Sequence, residues 1–155
     1  MPIEIDSHED ADSLRFKARD QRDRMKECFK QRREADKNGG RAKKLSLRGE
    51  AYKDNMRRLD EAASMKIFEE HNQRLKFDTV DLHRLFVPEA KLYFDKAVQE
   101  VRNHGESSLC VIVGRGKHSK NNIARIKPAI QKHGKRLGLC VEVDRSDVGR
   151  LVVSW

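Results

Sequence analysis

The stretch LCVIVGRGKHSKNNIARIKPAIQ, residues 109–131, decides the fold. Its apolar run at 109–113 is typical of a strand, a basic glycine turn follows at 114–119, and a segment with helical spacing continues to about Arg136. We expect this helix to open near Ser119, whose hydroxyl suits an N-cap. A strand that leads through a glycine turn into a helix points backbone N–H groups and the positive end of the helix dipole at one place. Such a place suits an anion.

The flanking sequence supplies the other elements of a mixed sheet. Residues 77–82 are predicted to form a strand, and an amphipathic helix should run from Pro88 to Asn103. Two more strands are predicted at 139–143 and 151–155. In the order β-α-β-α-β-β, the first two strands are parallel and the last two form a hairpin. The continuously apolar strand at 109–113 should be central and covered on both faces.

The first half of the chain has a different pattern. Apolar residues recur at helical spacing from 14 to 35 and from 45 to 67, with Gly39 and Gly40 between the two segments. These segments predict an antiparallel helical hairpin whose first helix is capped by Ser7. We therefore predict an α+β chain in two parts. A helical extension spans 7–75, and a two-layer α/β sandwich with a mixed four-stranded sheet spans 76–155.

Charge favours a polyanionic partner, RNA or DNA. The net charge is +9 and the pI is about 9.6. No acidic residue occurs between Glu106 and Glu142, whereas a solvated helical face normally mixes both signs. The run contains no Phe, Trp or Tyr, which favours binding of the phosphate backbone over base stacking. Its basic residues are Arg115, Lys117, Lys120, Arg125, Lys127, Lys132, Lys135 and Arg136.

Cysteine, histidine and hydropathy patterns argue against several other classes. The three cysteines have no CxxC spacing, and Cys110 and Cys140 fall in predicted strands, where we interpret them as buried small hydrophobes in a reducing compartment. The histidines have no paired ligand spacing, so neither a metal nor another cofactor is predicted. The lack of a long apolar run argues against a membrane partner or a signal peptide. We expect a cytoplasmic protein, with a nuclear location as the alternative.

Asp81 and His83 form the first group that could do chemistry. They lie at the carboxyl end of the strand predicted at 77–82, and residues two apart in a strand share a face. An acid beside a histidine fixes its tautomer and raises its basicity, as a general base requires. The alternative is structural, with Asp81 capping the next segment and His83 merely exposed.

The glycine turn at 114–119 is the second group. A P-loop ending here would need glycine at Val111 and a hydroxyl at His118, and a dinucleotide fingerprint would need glycine at Ser119. A nucleotide-cofactor site is therefore disfavoured, whereas a site for a backbone phosphate remains open. The alternative is that the glycines only make the turn and Ser119 only caps the helix.

With both turns identified, the chain resembles a Smr (small MutS-related) domain preceded by a DUF1771 helical extension. Residues 80–83, VDLH, match the L-D-L-H motif, and residues 114–119, GRGKHS, match the T-G-X-G motif in its GRG-X-HS form. Residues 62–72 resemble the closing signature of the extension. Two positions depart from the family pattern, since Arg84 replaces the usual glycine and Val113 replaces a common threonine.

The resemblance implies a nuclease, and both RNA cleavage linked to stalled translation and DNA nicking are known in the family. We expect an RNA endonuclease, with DNA nicking and a ribosome partner as further expectations. The alternative is a non-catalytic module that binds RNA, DNA or the ribosome. The predicted catalytic residues are Asp81, His83, Arg115 and His118. The predicted nucleic-acid-binding residues are Arg84, Gly114, Gly116, Lys117, Ser119, Lys120, Arg125 and Lys127.

Overall fold

The computed structural model describes residues 2–35, 39–115 and 125–155. They divide into two compact units, Met1–Lys66 and Ile67–Trp155, with the boundary inside the second helix. None of the helices in the described ranges is long and apolar enough to cross a membrane. The helices are α1 (Ala11–Glu34), α2 (Gly40–Asn72), α3 (Val87–Asn103) and α4 (Ile126–Arg136). The strands are β1 (Thr79–Asp81), β2 (Ser108–Ile112), β3 (Cys140–Val143) and β4 (Arg150–Ser154).

The first unit is an antiparallel pair of helices, as predicted. Arg15 of α1 lies 2.8 Å from Asp60 of α2, while Arg32 near the end of α1 reaches Ser46 near the start of α2. The predicted cap at Ser7 is wrong. The side chain of Asp10 caps α1 instead, accepting a hydrogen bond from the Ser13 backbone N–H at 2.7 Å.

The seam of the hairpin is narrow and partly polar. Its buried apolar side chains come from Leu14 and Ala18 of α1 and Leu59 and Ala63 of α2. Gln21, which interrupts the apolar spacing of α1, is buried and accepts a 3.0 Å hydrogen bond from the side-chain amide of Asn55, which is also buried. This amide pair satisfies polar groups that would otherwise be costly to bury.

The second unit carries the predicted mixed four-stranded sheet. The strand order is β1-β2-β4-β3, with β1 and β2 parallel and the other neighbours antiparallel. Register pairs Val80 with Val111 and Val111 with Leu151. Because the first two strands are parallel, β1 and β2 both end at the same edge of the sheet.

One face of the sheet packs against the helices and holds the core, which includes Phe94 of α3, Ile130 of α4, and Val111 and Leu151 of the sheet. The other face is more exposed. The prediction that 109–113 is covered on both faces is therefore wrong, because burial alternates along β2 in the pattern of a sheet with one packed face. For the same reason Cys140 is exposed rather than buried, and Cys110 is half-buried.

The described helix α4 has Ile126 as its first residue and Arg125 at the N-cap position. The predicted start near Ser119 lies outside the described residues. The helix ends where predicted, since Gly138 adopts a φ of +80° just beyond it, a conformation that glycine adopts without steric cost.

Candidate active site

Two turns meet at the carboxyl ends of β1 and β2. We call residues 81–84 the Asp-His turn and residues 113–115 the described part of the glycine turn. The backbone N–H of Leu82 donates to the carbonyl of Ile112 at 2.9 Å, which extends the parallel pairing to the strand ends. Gly114 lies directly against the first turn, because a Cβ added there would be 3.2 Å from the Cβ of His83. The structure thus brings the two sequence motifs together.

Asp81 and His83 are in direct contact within the Asp-His turn. Oδ1 of Asp81 accepts a 2.9 Å hydrogen bond from the backbone N–H of His83 and also contacts Nδ1 of the His83 ring. Asp81 is buried, whereas about a third of the His83 side chain is exposed. A carboxylate on Nδ1 holds the hydrogen there and leaves Nε2 to exchange a proton with a bound molecule. This geometry suits general acid–base chemistry.

The last turn of α2 adds two residues that were not among the predicted site residues. The rings of His71 and His83 are stacked, with centroids 3.9 Å apart and planes within 6° of each other. The Asn72 side chain bonds both the N–H and the carbonyl of Asp81, at 2.8 and 2.9 Å. The sequence signal was the adjacent polar pair at the end of a helical pattern, but only the docking of α2 places it at the site.

The trio His71, Asp81 and His83 is not arranged as a metal centre. One potential donor atom from each residue lies within 4.8 Å of the others. However, nearly parallel stacked rings direct their in-plane nitrogen lone pairs side by side rather than toward one point. Oδ1 of Asp81 is also already engaged by the backbone N–H and the ring of His83. The arrangement fits proton transfer better than coordination.

Arg84 ends the Asp-His turn in an unusual backbone conformation. Its φ is +69°, in the left-handed region that disfavours residues with a Cβ. Glycine is usual at this position in the family that the sequence resembles, and the backbone geometry supplies the physical reason. The side chain of Arg84 is exposed. It therefore places a cation at the surface beside the Asp81–His83 pair.

The glycine turn is tied to the loop between β3 and β4. The backbone N–H groups of Val113 and Gly114 both donate to the carbonyl of Gly149, at 2.8 and 3.1 Å. Gly114 has a φ of +81°, so its role as a turn residue has a conformational basis. Gly149 is itself confined, because an added Cβ would lie 3.1 Å from Cγ of Arg115.

Two predicted site cations, one catalytic and one nucleic-acid-binding, contact this same loop. Arg115 forms a salt bridge with Asp147, with Nη2 and Oδ1 3.1 Å apart, and both side chains are partly exposed. Lys127 donates to the carbonyl of Val148 at 2.8 Å. The Gly149 backbone N–H and the Arg115 guanidinium hold the pKa of Asp147 below its usual range. Asp147 was missed by sequence reasoning, because nothing in its local pattern indicates that it meets Arg115.

The remaining predicted site residues divide into two groups. Arg125 is described and exposed, immediately before α4. The other residues, which lie outside the described ranges, are Gly116, Lys117, His118, Ser119 and Lys120.

Two family models match the chain in series. The DUF1771 domain, a domain of unknown function, matches residues 12–72, and the Smr domain matches residues 80–146. His71 and Asn72 close the first match, whereas Asp81, His83 and the glycine turn fall within the second.

Three named proteins are similar to this chain. Endonuclease NBR9 of Saccharomyces cerevisiae is 32% identical over 72% of this chain and 47% of its own length. The Smr domain-containing protein C11H11.03c of Schizosaccharomyces pombe is 31% identical over 60% of this chain and 45% of its own length. NEDD4-binding protein 2 of Homo sapiens is 36% identical over 69% of this chain but only 6% of its own length.

The chain thus spans about half the length of its two yeast relatives. The solution structure of the B3BP Smr domain is 33% identical, with a TM-score of 0.48, covering 61% of this chain and 94% of that one. The two serial family matches establish the relationship: the chain belongs to the Smr domain proteins that carry an N-terminal DUF1771 region.

Proposed function

We propose that this protein is an endonuclease that cleaves RNA. The Smr domain and the similarity to a named endonuclease support a nuclease or nucleic-acid-binding role. The observation that carries the more specific proposal is the Asp81–His83 pair, held against Gly114 at the ends of two parallel strands. The His83 imidazole is partly exposed and has a buried carboxylate on its Nδ1. Such a pair can move a proton at the protein surface.

The proposed reaction uses the ribose 2′-hydroxyl as its nucleophile. His83 takes the 2′-hydroxyl proton, the oxygen attacks the adjacent phosphorus, and the bond to the 5′-oxygen breaks. His118, outside the described residues, is the proposed acid that protonates the leaving oxygen. Arg115 stabilises the charge on the pentavalent phosphorane, together with the amide of Gly116, which lies outside the described residues. The predicted contribution of the Gly114 amide is wrong, because its N–H already donates to the Gly149 carbonyl. The products are a 2′,3′-cyclic phosphate and a 5′-hydroxyl.

The test is a cleavage assay on a defined single-stranded RNA and on the same sequence with one 2′-deoxy position. Because the proposed nucleophile belongs to the substrate, we expect cleavage to survive EDTA and to stop at the 2′-deoxy position. His83→Ala should abolish cleavage and leave binding intact. Cleavage that needs Mg²⁺ and ignores the 2′-hydroxyl would overturn the mechanism. Ribosome association stays a prediction, to be checked by co-sedimentation.

A second candidate, a Smr module that binds nucleic acid without cutting it, is favoured by Arg84. Its side chain stands beside the Asp81–His83 pair, at a position where glycine is usual in the family and the φ is +69°. Arg84→Gly should raise the free energy of unfolding by up to about 1 kcal/mol, because glycine relieves the left-handed backbone. Cleavage by wild type and variant alike supports the endonuclease. Cleavage by Arg84→Gly alone would assign the natural chain to the binding module.

A further inference from the structure

We propose that His71 and Asn72, the last two residues of α2, are positioning residues of the endonuclease site, with His71 holding the ring of His83 and Asn72 holding the backbone of Asp81. Both lie in the segment matched by the DUF1771 model rather than in the Smr match. The inference rests on the proposed function, and it assigns the end of the helical extension a part in the chemistry.

Asn72 supplies hydrogen-bond partners for the backbone at the edge of the sheet. β1 is an edge strand, so the N–H and carbonyl of Asp81 that face away from β2 need partners from elsewhere. Oδ1 of Asn72 accepts from the Asp81 N–H at 2.8 Å, and Nδ2 donates to the Asp81 carbonyl at 2.9 Å. The same Nδ2 donates to the carbonyl of Phe68 at 2.7 Å, which fixes the amide to its own helix. Asn72 therefore takes the place of a neighbouring strand at the residue that carries the catalytic carboxylate.

His71 restricts the other half of the pair. Its ring covers one face of the His83 ring at a centroid separation of 3.9 Å, while Asp81 contacts the edge at Nδ1. Gly114 lies close to the base of the same side chain, since a Cβ added there would be 3.2 Å from the His83 Cβ. With these three neighbours the His83 ring has little freedom to turn away from Asp81. Fixed orientation of a reacting group is a large part of catalytic rate, and a small misplacement is costly.

The surroundings of His71 favour a neutral ring that acts by stacking. Its Nδ1 is buried and has no hydrogen-bond partner among the described residues. Burial lowers the pKa of His71, and the positive charges of His83 and Arg84 add to this effect while Asp81 and Glu70 oppose it. A neutral imidazole can lie against His83 in either protonation state, including the cation that forms when His83 accepts a proton.

The experiment compares His71→Ala, His71→Phe and Asn72→Ala in the full chain. Because Phe keeps a flat ring without nitrogen, we expect His71→Phe to retain most of the wild-type kcat, whereas His71→Ala and Asn72→Ala lose about tenfold or more with little change in KM. His104→Ala is the matched control. Like His71, His104 lies at the end of a helix and contacts an aromatic ring, in this case that of Phe77. Its replacement should leave kcat unchanged.

The outcomes separate the positioning role from its alternatives. Equal loss of activity in His71→Phe and His71→Ala would overturn the stacking role and point to a nitrogen of His71 as a ligand or acid. Wild-type kcat in His71→Ala would overturn the inference outright. Unfolding curves identify any variant that has lost its fold. If His71→Ala is such a variant, the kcat of His71→Phe decides whether a flat ring at position 71 is sufficient.

A measurement without substrate keeps the inference distinguishable from the proposed function. In NMR spectra of the wild type, stacking should shift the His83 ring protons upfield, and His71→Ala should remove this shift while His71→Phe keeps it. Loss of the shift without any cleavage by the wild type would refute the nuclease proposal and retain the stacked pair. An unshifted His83 ring in the wild type would refute the stacking itself.

Discussion

The two turns that meet at the sheet edge are held in different ways. In the Asp-His turn, the buried Asp81 carboxylate is bound by the backbone N–H and the ring of His83, and the Asn72 amide holds the Asp81 backbone. The imidazole of His71 also stacks on that of His83. In the glycine turn, the backbone is bound to Gly149, and the described partner of the Arg115 side chain is Asp147, in an exposed salt bridge. Exposed salt bridges contribute little stability, whereas buried hydrogen-bonded groups are costly to disturb.

Under the proposed function, this difference corresponds to separate roles for the two turns, proton transfer and phosphate binding. Proton transfer requires atoms fixed to within a fraction of an ångström, and the Asp-His turn supplies that order. Attraction of a phosphate requires charge and tolerates motion, which fits the Arg115 side chain. When a substrate phosphate binds, the Arg115 side chain would leave Asp147 and pair with the phosphate. Mutations in the first turn should therefore change mainly kcat, and mutations in the second should also change binding.

After the complete loss expected for His83→Ala, the largest expected effect is that of Asp81→Asn. Without the carboxylate, His83 loses the group that fixes its tautomer, and cleavage should fall by about 10²–10⁴-fold. Binding should not weaken, because the substitution removes a negative charge. Asp78→Asn makes the same charge change at an exposed position just before β1 and should leave kcat unaltered. Rate measurements under single-turnover conditions, together with filter binding, check both expectations. Equal losses in the two variants would mean that the change in charge, and not the lost contact with His83, lowers the rate.

Arg115→Ala should have the next largest effect. Removing the guanidinium is expected to lower kcat/KM by about 10²-fold and to reduce the salt dependence of binding by about one phosphate contact. Arg102→Ala removes the same charge from the last turn of α3 and serves as the control. Arg102 lies over Trp155, next to the start of β2 rather than its carboxyl end. Titrations at several salt concentrations measure the slope. If Arg115→Ala lowered kcat without changing the slope, Arg115 would act in the chemistry alone.

A pair of glycine substitutions probes the contact between the turns. Gly114 and Gly105 share a φ of +81°, but an added Cβ meets the His83 Cβ at 3.2 Å in the first and nothing within 4 Å in the second. Each substitution to Ala should cost about 1–2 kcal/mol of unfolding free energy from the backbone conformation. Gly114→Ala should cost more than Gly105→Ala and should lower cleavage as well. Urea unfolding gives the difference, and equal costs would indicate that the turns do not press on each other.

The smallest expected effect is a difference in acid response. The lowered pKa of His71 means that the folded state binds its proton less readily than the unfolded state, so its contribution to stability is lost as pH falls below about 6.5. The lowered pKa of Asp147 delays the corresponding loss at the glycine turn until pH falls below about 4. Urea unfolding at several pH values measures both losses. His71→Phe should remove the part of the pH dependence that comes from His71 and leave the part that comes from Asp147.

Local sequence patterns were enough to predict most of the second unit. Alternation and apolar runs located its strands to within a few residues, and turn glycines such as Gly138 marked the ends of elements. The errors arose where the local pattern fits more than one arrangement of the chain. Ser7 and Asp10 both suit a helix cap, and only the backbone path selects Asp10. Cys140 lies in a strand, but strand membership does not reveal which face is covered.

The sequence alone determined that an Asp-X-His motif and a basic glycine turn each follow a strand, because alternation, turn residues and charge are properties of neighbouring residues. Tertiary structure decided which distant groups complete those motifs. His71 and Asn72 reach the Asp-His turn, and Asp147 reaches Arg115, only because a helix end and a hairpin loop dock at the same sheet edge. Such contacts depend on how packed elements are placed in space, and no local pattern encodes that placement.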